Sequence, residues 1–173
     1  MEDIETTLDD IENKLPDSAI PNISLGSVIF AVLAAVTGML SSYHTSEAVI
    51  SQVQASDQWG YYQAKGIKSN LLANKIDLYT VLGKLANQAD LDKMTQYKKE
   101  QDQISEAARE KERSSTLHMK NYLSMARGVN LFQVALVVSV IAIITRRRKL
   151  WHMSLLAAAG GLFFLIQGFA LNG

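Results

Sequence analysis

The apolar residues of this chain fall into three blocks, Ile23 to Ser42, Val129 to Thr145 and Leu150 to Leu171, none of which contains an Asp, Glu, Lys or Arg. A run of roughly 20 apolar residues makes roughly 30 Å of helix, the thickness of a bilayer core, so residues 23–42 read as a first transmembrane helix. The second block, 129–145, lies at the short end of the spanning range and borrows Met125 and Ala126. The third, 150–171, is long enough to tilt. The pattern predicts an all-α integral membrane protein with three transmembrane helices and a long antiparallel helical hairpin, residues 43–128, between the first and second.

Within that middle region the two halves differ. From Ile50 the positions Val53, Asp57, Gly60, Ala64, Ile67, Leu71, Asn74, Leu78, Val81 and Leu85 follow at alternating spacings of three and four, a heptad seam in which Asp57 and Asn74 are the polar members. A buried Asn in such a seam fixes register at a cost in stability. Asn87 is placed to close this first arm and Asp90 to cap the next. The second arm, from Leu91 to Met125, is far more polar, with Glu106 and Arg109, then Glu110 and Arg113, spaced as supporting ion pairs. At about 43 and 36 residues the arms would reach roughly 65 and 54 Å, the match a returning hairpin needs. A compact bundle of shorter helices, broken near Gly66 or Ser114, is the alternative.

Residues 1–22 read as a separate cytoplasmic piece. Ile4, Leu8, Ile11 and Leu15 stripe an otherwise acidic segment, an amphipathic helix that Pro16 and Pro21 convert into a rigid linker. An acidic start and the lack of a small-residue cleavage pattern argue against a targeting peptide.

Charge sets the expected orientation. Arg146, Arg147, Arg148 and Lys149 form a basic turn, 146–149, clamped between the second and third blocks, and Lys and Arg in short connections stay on the cytoplasmic side. Chaining outward from that turn puts the N-terminus inside, with the hairpin and the C-terminus exported. The acidic N-terminal helix is then expected to dock beside the basic turn or to recruit a cytoplasmic partner.

Composition adds mainly exclusions. A net charge of zero gives no footprint for nucleic acid, and the absence of cysteine removes thiol catalysis and disulfides. His44, with Glu47 three residues on, and His118 are too thin a set for a metal site. No phosphate loop, nucleophile elbow or zinc-helix motif is present, so neither catalysis nor a cofactor is expected. A polar second arm cannot repay its own ordering entropy, which points to self-association as a homo-oligomer in membrane lipid. Gly38 and Gly161, each four residues after an alanine, permit close helix approach, and Gln133 and Gln167 are expected to pair through their amides at similar depth. The same glutamines, in an oligomer, could line a pore, which keeps a channel or transport accessory role as the alternative.

Trp59, Tyr61 and Tyr62 crowd one helical turn, either covering the hairpin partner or offering a docking patch to another protein or a glycan. The segment that holds them, Ala55-Ser56-Asp57-Gln58-Trp59-Gly60-Tyr61-Tyr62-Gln63-Ala64-Lys65, in a chain that goes on to a charged helical middle and a span, basic turn, span ending, resembles the domain-of-unknown-function 4337 family of bacterial membrane proteins. The likeness covers nearly the whole chain, with Gly60 standing where an alanine is expected. It implies bacterial origin and inner-membrane placement, and no activity.

Overall fold

In the computed structural model, which describes residues 14–170, a single 3₁₀ turn, Asp17–Ala19, precedes three helices: α1 (Ile20–Val81), α2 (Gln88–Thr145) and α3 (Arg148–Ala170). The stripe of Ile4, Leu8 and Ile11 lies outside the described residues. Among those described there is no strand, only an isolated bridge between Lys14 and Arg147. The alternative of short helices is not adopted: α1 passes Gly66 and α2 passes Ser114 without a break. Pro21 does not end in a linker either. It sits in the first turn of α1, where a missing N–H costs nothing because that donor has no intrahelical partner.

The helix ends explain themselves locally. Gly83 takes a left-handed φ of 66°, its N–H bonds the Thr80 carbonyl, and the Lys84 N–H reaches back to the Tyr79 carbonyl at 2.9 Å. That pair of bonds is a Schellman closure, so Gly83 rather than Asn87 closes α1. Asn87 starts α2 instead, its Oδ1 accepting from the Ala89 N–H at 3.0 Å. At the other end Arg146 carries a positive φ of 52°, and α3 begins at Arg148, leaving Arg146 and Arg147 to make the turn.

All three helices are long and apolar enough to cross a membrane. Their most apolar windows are only 22%, 28% and 22% buried, so most of that apolar surface faces outward.

The chain divides into two units, one of Met1–Thr45 with His118–Gly173 and the other of Ser46–Leu117. In the first, the α1 positions that turn inward are Ile23, Ser27, Phe30, Thr37, Ser41 and His44. Here α2 and α3 approach until side chains vanish from the contact: a Cβ on Gly128 would stand 3.1 Å from the Gly161 carbonyl oxygen, and one on Gly161 would meet the Phe132 ring at 2.9 Å. Small residues let two backbones gain dispersion contacts along their length.

The second unit packs in the same spirit. Ala48, Ser51, Ala55 and Ser69 on α1 are buried, as are Ala108 and Ser115 on α2. Ser115 donates to the Ala48 carbonyl at 2.8 Å, and the Ser51 and Ser114 hydroxyls lie 3.3 Å apart. The expected seam is therefore corrected. Ile50, Val53, Asp57, Gly60, Ala64, Ile67, Leu71, Asn74, Leu78, Val81 and Leu85 are all exposed, and α2 lies on another face. Small residues win that face because they allow the closest approach, and the bulky stripe is left outside.

Candidate interaction surfaces

The aromatic segment is split by its own helical geometry. Trp59 and Tyr62, three residues apart, share the face toward α2, where the indole Nε1 donates to Glu112 Oε1 at 2.8 Å and the two rings meet edge to face at 5.5 Å. The Tyr62 carbonyl accepts from Gln101 Nε2 at 3.2 Å. Gly66, one turn on, provides the room, since a Cβ there would come 2.9 Å from that same nitrogen. Tyr61 points away and is 64% exposed, and Asp57 and Asn74 are exposed beyond it. Of the five residues expected to mediate interaction, two thus hold the hairpin and three face outward.

Cross-arm charge pairs continue the contact. Lys65 pairs with Glu100 while its ammonium lies 4.9 Å over the Tyr97 ring, and Lys75 pairs with Asp90 at 2.6 Å. The hydrogen bonds from Lys65 and then Gln96 hold the Glu100 carboxyl below the ordinary glutamate range, and the bond to Asp90 raises the Lys75 ammonium above the ordinary lysine range. Among the described residues these cross-arm pairs form where pairs within the second arm were expected: Glu106–Arg109 and Glu110–Arg113 do not close.

In the first unit the two histidines come together. His44 Nδ1 and His118 Nδ1 are 3.1 Å apart, with His44 buried, so one ring presents a bare nitrogen to the N–H of the other. Among the described residues no group of three or more His, Cys, Asp or Glu side chains gathers in metal-binding geometry.

The glutamine pair expected in the spans is not made. Gln167 Oε1 accepts from Ser124 Oγ at 3.1 Å, and that hydroxyl also lies 3.0 Å from the Phe164 carbonyl, while Gln133 faces outward beside Asn130 and Val137. The close pass of Gly128 and Gly161 sets the register between α2 and α3, which brings Ser124, not Gln133, level with Gln167. Gly161 lies against the Phe132 ring and the Gly128 carbonyl, whereas Gly38 has nothing within 4 Å of its would-be Cβ. Two contacts escaped the sequence reading: Ser27 Oγ meets Ser139 Oγ at 2.7 Å, and Trp151 stacks inward on Phe30 at 6.2 Å over the space left by Gly26. Serines spaced like a seam, and a glycine facing an aromatic, were the available signals.

At the basic turn the Arg146 carbonyl accepts from the Leu15 N–H at 2.6 Å, the Arg146 guanidinium pairs with Asp17 at 2.8 Å, and Leu15 is buried with Ile23 and Ala142. The described part of the N-terminal segment therefore lies against the turn, and an aliphatic contact anchors it beside one exposed ion pair.

These features define a class: an all-helical chain of two very long helices and a third short one, in which small side chains make the helix contacts and all three helices are apolar enough to span a membrane. The chain belongs to the family described as Domain of unknown function (DUF4337), whose model matches residues 20–171. Neither a curated protein nor a solved structure matches it.

Proposed function

We propose that this is a three-span protein of the bacterial inner membrane, with its N-terminus and basic turn cytoplasmic and its helical hairpin exported, which acts without catalysis as a self-associating structural or interaction module. The observation that carries this reading is the outward direction of the apolar surface in all three candidate spans, since large exposed apolar faces are costly in water and required in lipid. The four basic residues at the turn favour the cytoplasmic side for it. Among the described residues His44 and His118 meet, but no group of three or more His, Cys, Asp or Glu side chains gathers in metal-binding geometry, and this favours a non-enzymatic role over a metal-dependent one.

A channel is the competing class. It would need polar groups on a surface shared between copies, and Gln133 with Asn130 is the one outward polar pair among the described residues of α2 in the span. Native mass spectrometry of the solubilised chain, with recordings in planar bilayers, separates the readings. More than one copy and no unitary current is the expected result. A strict monomer overturns self-association, and reproducible single-channel steps abolished by Gln133→Leu overturn the structural role in favour of a pore.

A further inference from the structure

Helix α1 carries two seams. The inner one, in the hairpin unit, runs Ala48, Ser51, Ala55 and on to Ser69 and faces α2; the outer one, displaced by two residues, runs Ile50, Val53, Asp57 and on through Ile67, Leu71 and Leu78. Two residues are about 200° of helical rotation, so the seams lie on opposite sides of the same helix. The outer side chains are bulky and open, with Ile67 62% and Leu71 63% exposed, and no other element of the unit covers them.

We propose that this outer seam is the surface through which two copies pair, α1 against α1, in parallel and in register. The proposal rests on the self-association reading above and names the face it uses. Three observations select a second copy. A spacing of threes and fours kept without a skip from Ile50 to Val81 is the pattern that supercoils two helices around each other, and neither lipid nor an irregular protein surface requires it. The outward face of α2 in the hairpin carries Lys98, Glu106, Arg109, Glu110 and Arg113, so the outer seam of another α1 is the stripe of matching period and length. The area also fits. About 48 Å of helix at about 10 Å width buries about 1,000 Å² over both partners, the threshold of a specific interface.

Insertion in one membrane with one orientation makes the pair parallel, so each seam residue meets its own copy. Gly60, with open space around its would-be Cβ, forms a narrow waist where the backbones come closest. Asn74 meets Asn74 and can exchange amide hydrogen bonds that fix the register. Asp57 meets Asp57, a like-charge layer that keeps the pair loose.

Because the chain has no cysteine, single cysteines report the interface directly. Ile67→Cys and Leu71→Cys, in native membranes under mild oxidant, should give mostly covalent dimer, while Glu106→Cys on the outer face of α2 should stay monomeric. Ile67→Glu with Leu71→Glu should abolish pairing at unchanged helix content by circular dichroism. Asp57→Asn should raise the dimer fraction several-fold. If Ile67→Cys and Leu71→Cys fail to cross-link while native mass spectrometry still finds more than one copy, another face is used and this inference falls, with the self-association reading intact. A single-copy mass removes both. Weaker pairing of Asp57→Asn overturns the in-register arrangement.

Discussion

Gly161→Leu should lower the thermal midpoint of the solubilised protein by about 6–12 °C, the shift that about 3 kcal/mol produces in a chain of this size. The cost follows from what a side chain meets there. A Cβ alone would stand 2.9 Å from two atoms of the Phe132 ring and 3.2 Å from the Gly128 carbonyl oxygen, and the Phe132 ring is itself fully buried. Overpacking of this kind costs about 1–3 kcal/mol, and the backbone contact places leucine at the upper end. Gly161→Ala should fall between parent and leucine. Gly38→Leu is the control, since nothing lies within 4 Å of that position, and its midpoint should stay within about 2 °C of the parent. Scanning fluorimetry on the four proteins is sufficient. Equal midpoints for Gly161→Leu and Gly38→Leu would mean that α2 and α3 do not pass at the glycines.

Trp59→Ala should destabilise the hairpin unit by about 2–4 kcal/mol, read as an earlier loss of helical signal in urea. The substitution removes a large ring from between the arms, forfeits its edge contact with Tyr62, and leaves the Glu112 carboxylate without the indole donor 2.8 Å away. Trp59→Phe keeps the ring and loses the hydrogen bond, so it should cost about 1 kcal/mol. Tyr61→Ala, at a side chain 64% exposed, should be close to neutral for a single copy. If alanine at positions 59 and 61 gave equal effects, the division of the aromatic segment into an inward and an outward face would be wrong.

Much of the architecture was legible because it is written in large features. Three uncharged apolar blocks, an absence of proline after Pro21 and a matched pair of arms give an all-helical chain with two long helices packed together, and the structure has them. The face on which the arms meet was not legible in the same way. Hydropathy weights Ile50, Ile67 and Leu71 above Ala48, Ser51 and Ala55, yet the small residues make the contact, because close backbone approach gains more than isolated bulky side chains do across a long antiparallel contact. The alternate register was present in the sequence all along, two residues away. A reading by residue volume, rather than by hydropathy, would have found it.

The polar contacts failed for a related reason. Gln133 and Gln167 were matched by counting from the ends of their apolar blocks, but α2 has no break at residue 129, so the block end marks no structural level. The Gly128 and Gly161 pass marks it instead, and Ser124, one turn from Gly128, becomes the partner of Gln167. In the same way the basic run announced a turn without announcing that Arg146 would take the left-handed conformation and give its carbonyl to Leu15. Such a backbone costs an L-residue roughly 1–2 kcal/mol, which the Leu15 hydrogen bond and the Asp17 ion pair help to offset.

Membrane orientation is where the account can be tested most directly. Leu85→Cys places a single thiol on a side chain 97% exposed in the turn between α1 and α2, and Arg148→Cys places one at the start of α3 while three basic residues of the turn remain. Intact bacterial cells with a permeable outer membrane are treated with a membrane-impermeant maleimide, before and after the inner membrane is opened by detergent. The proposed arrangement predicts that Leu85→Cys is labelled in both conditions and Arg148→Cys only after detergent. Labelling of Arg148→Cys in intact cells, with Leu85→Cys protected, would contradict it.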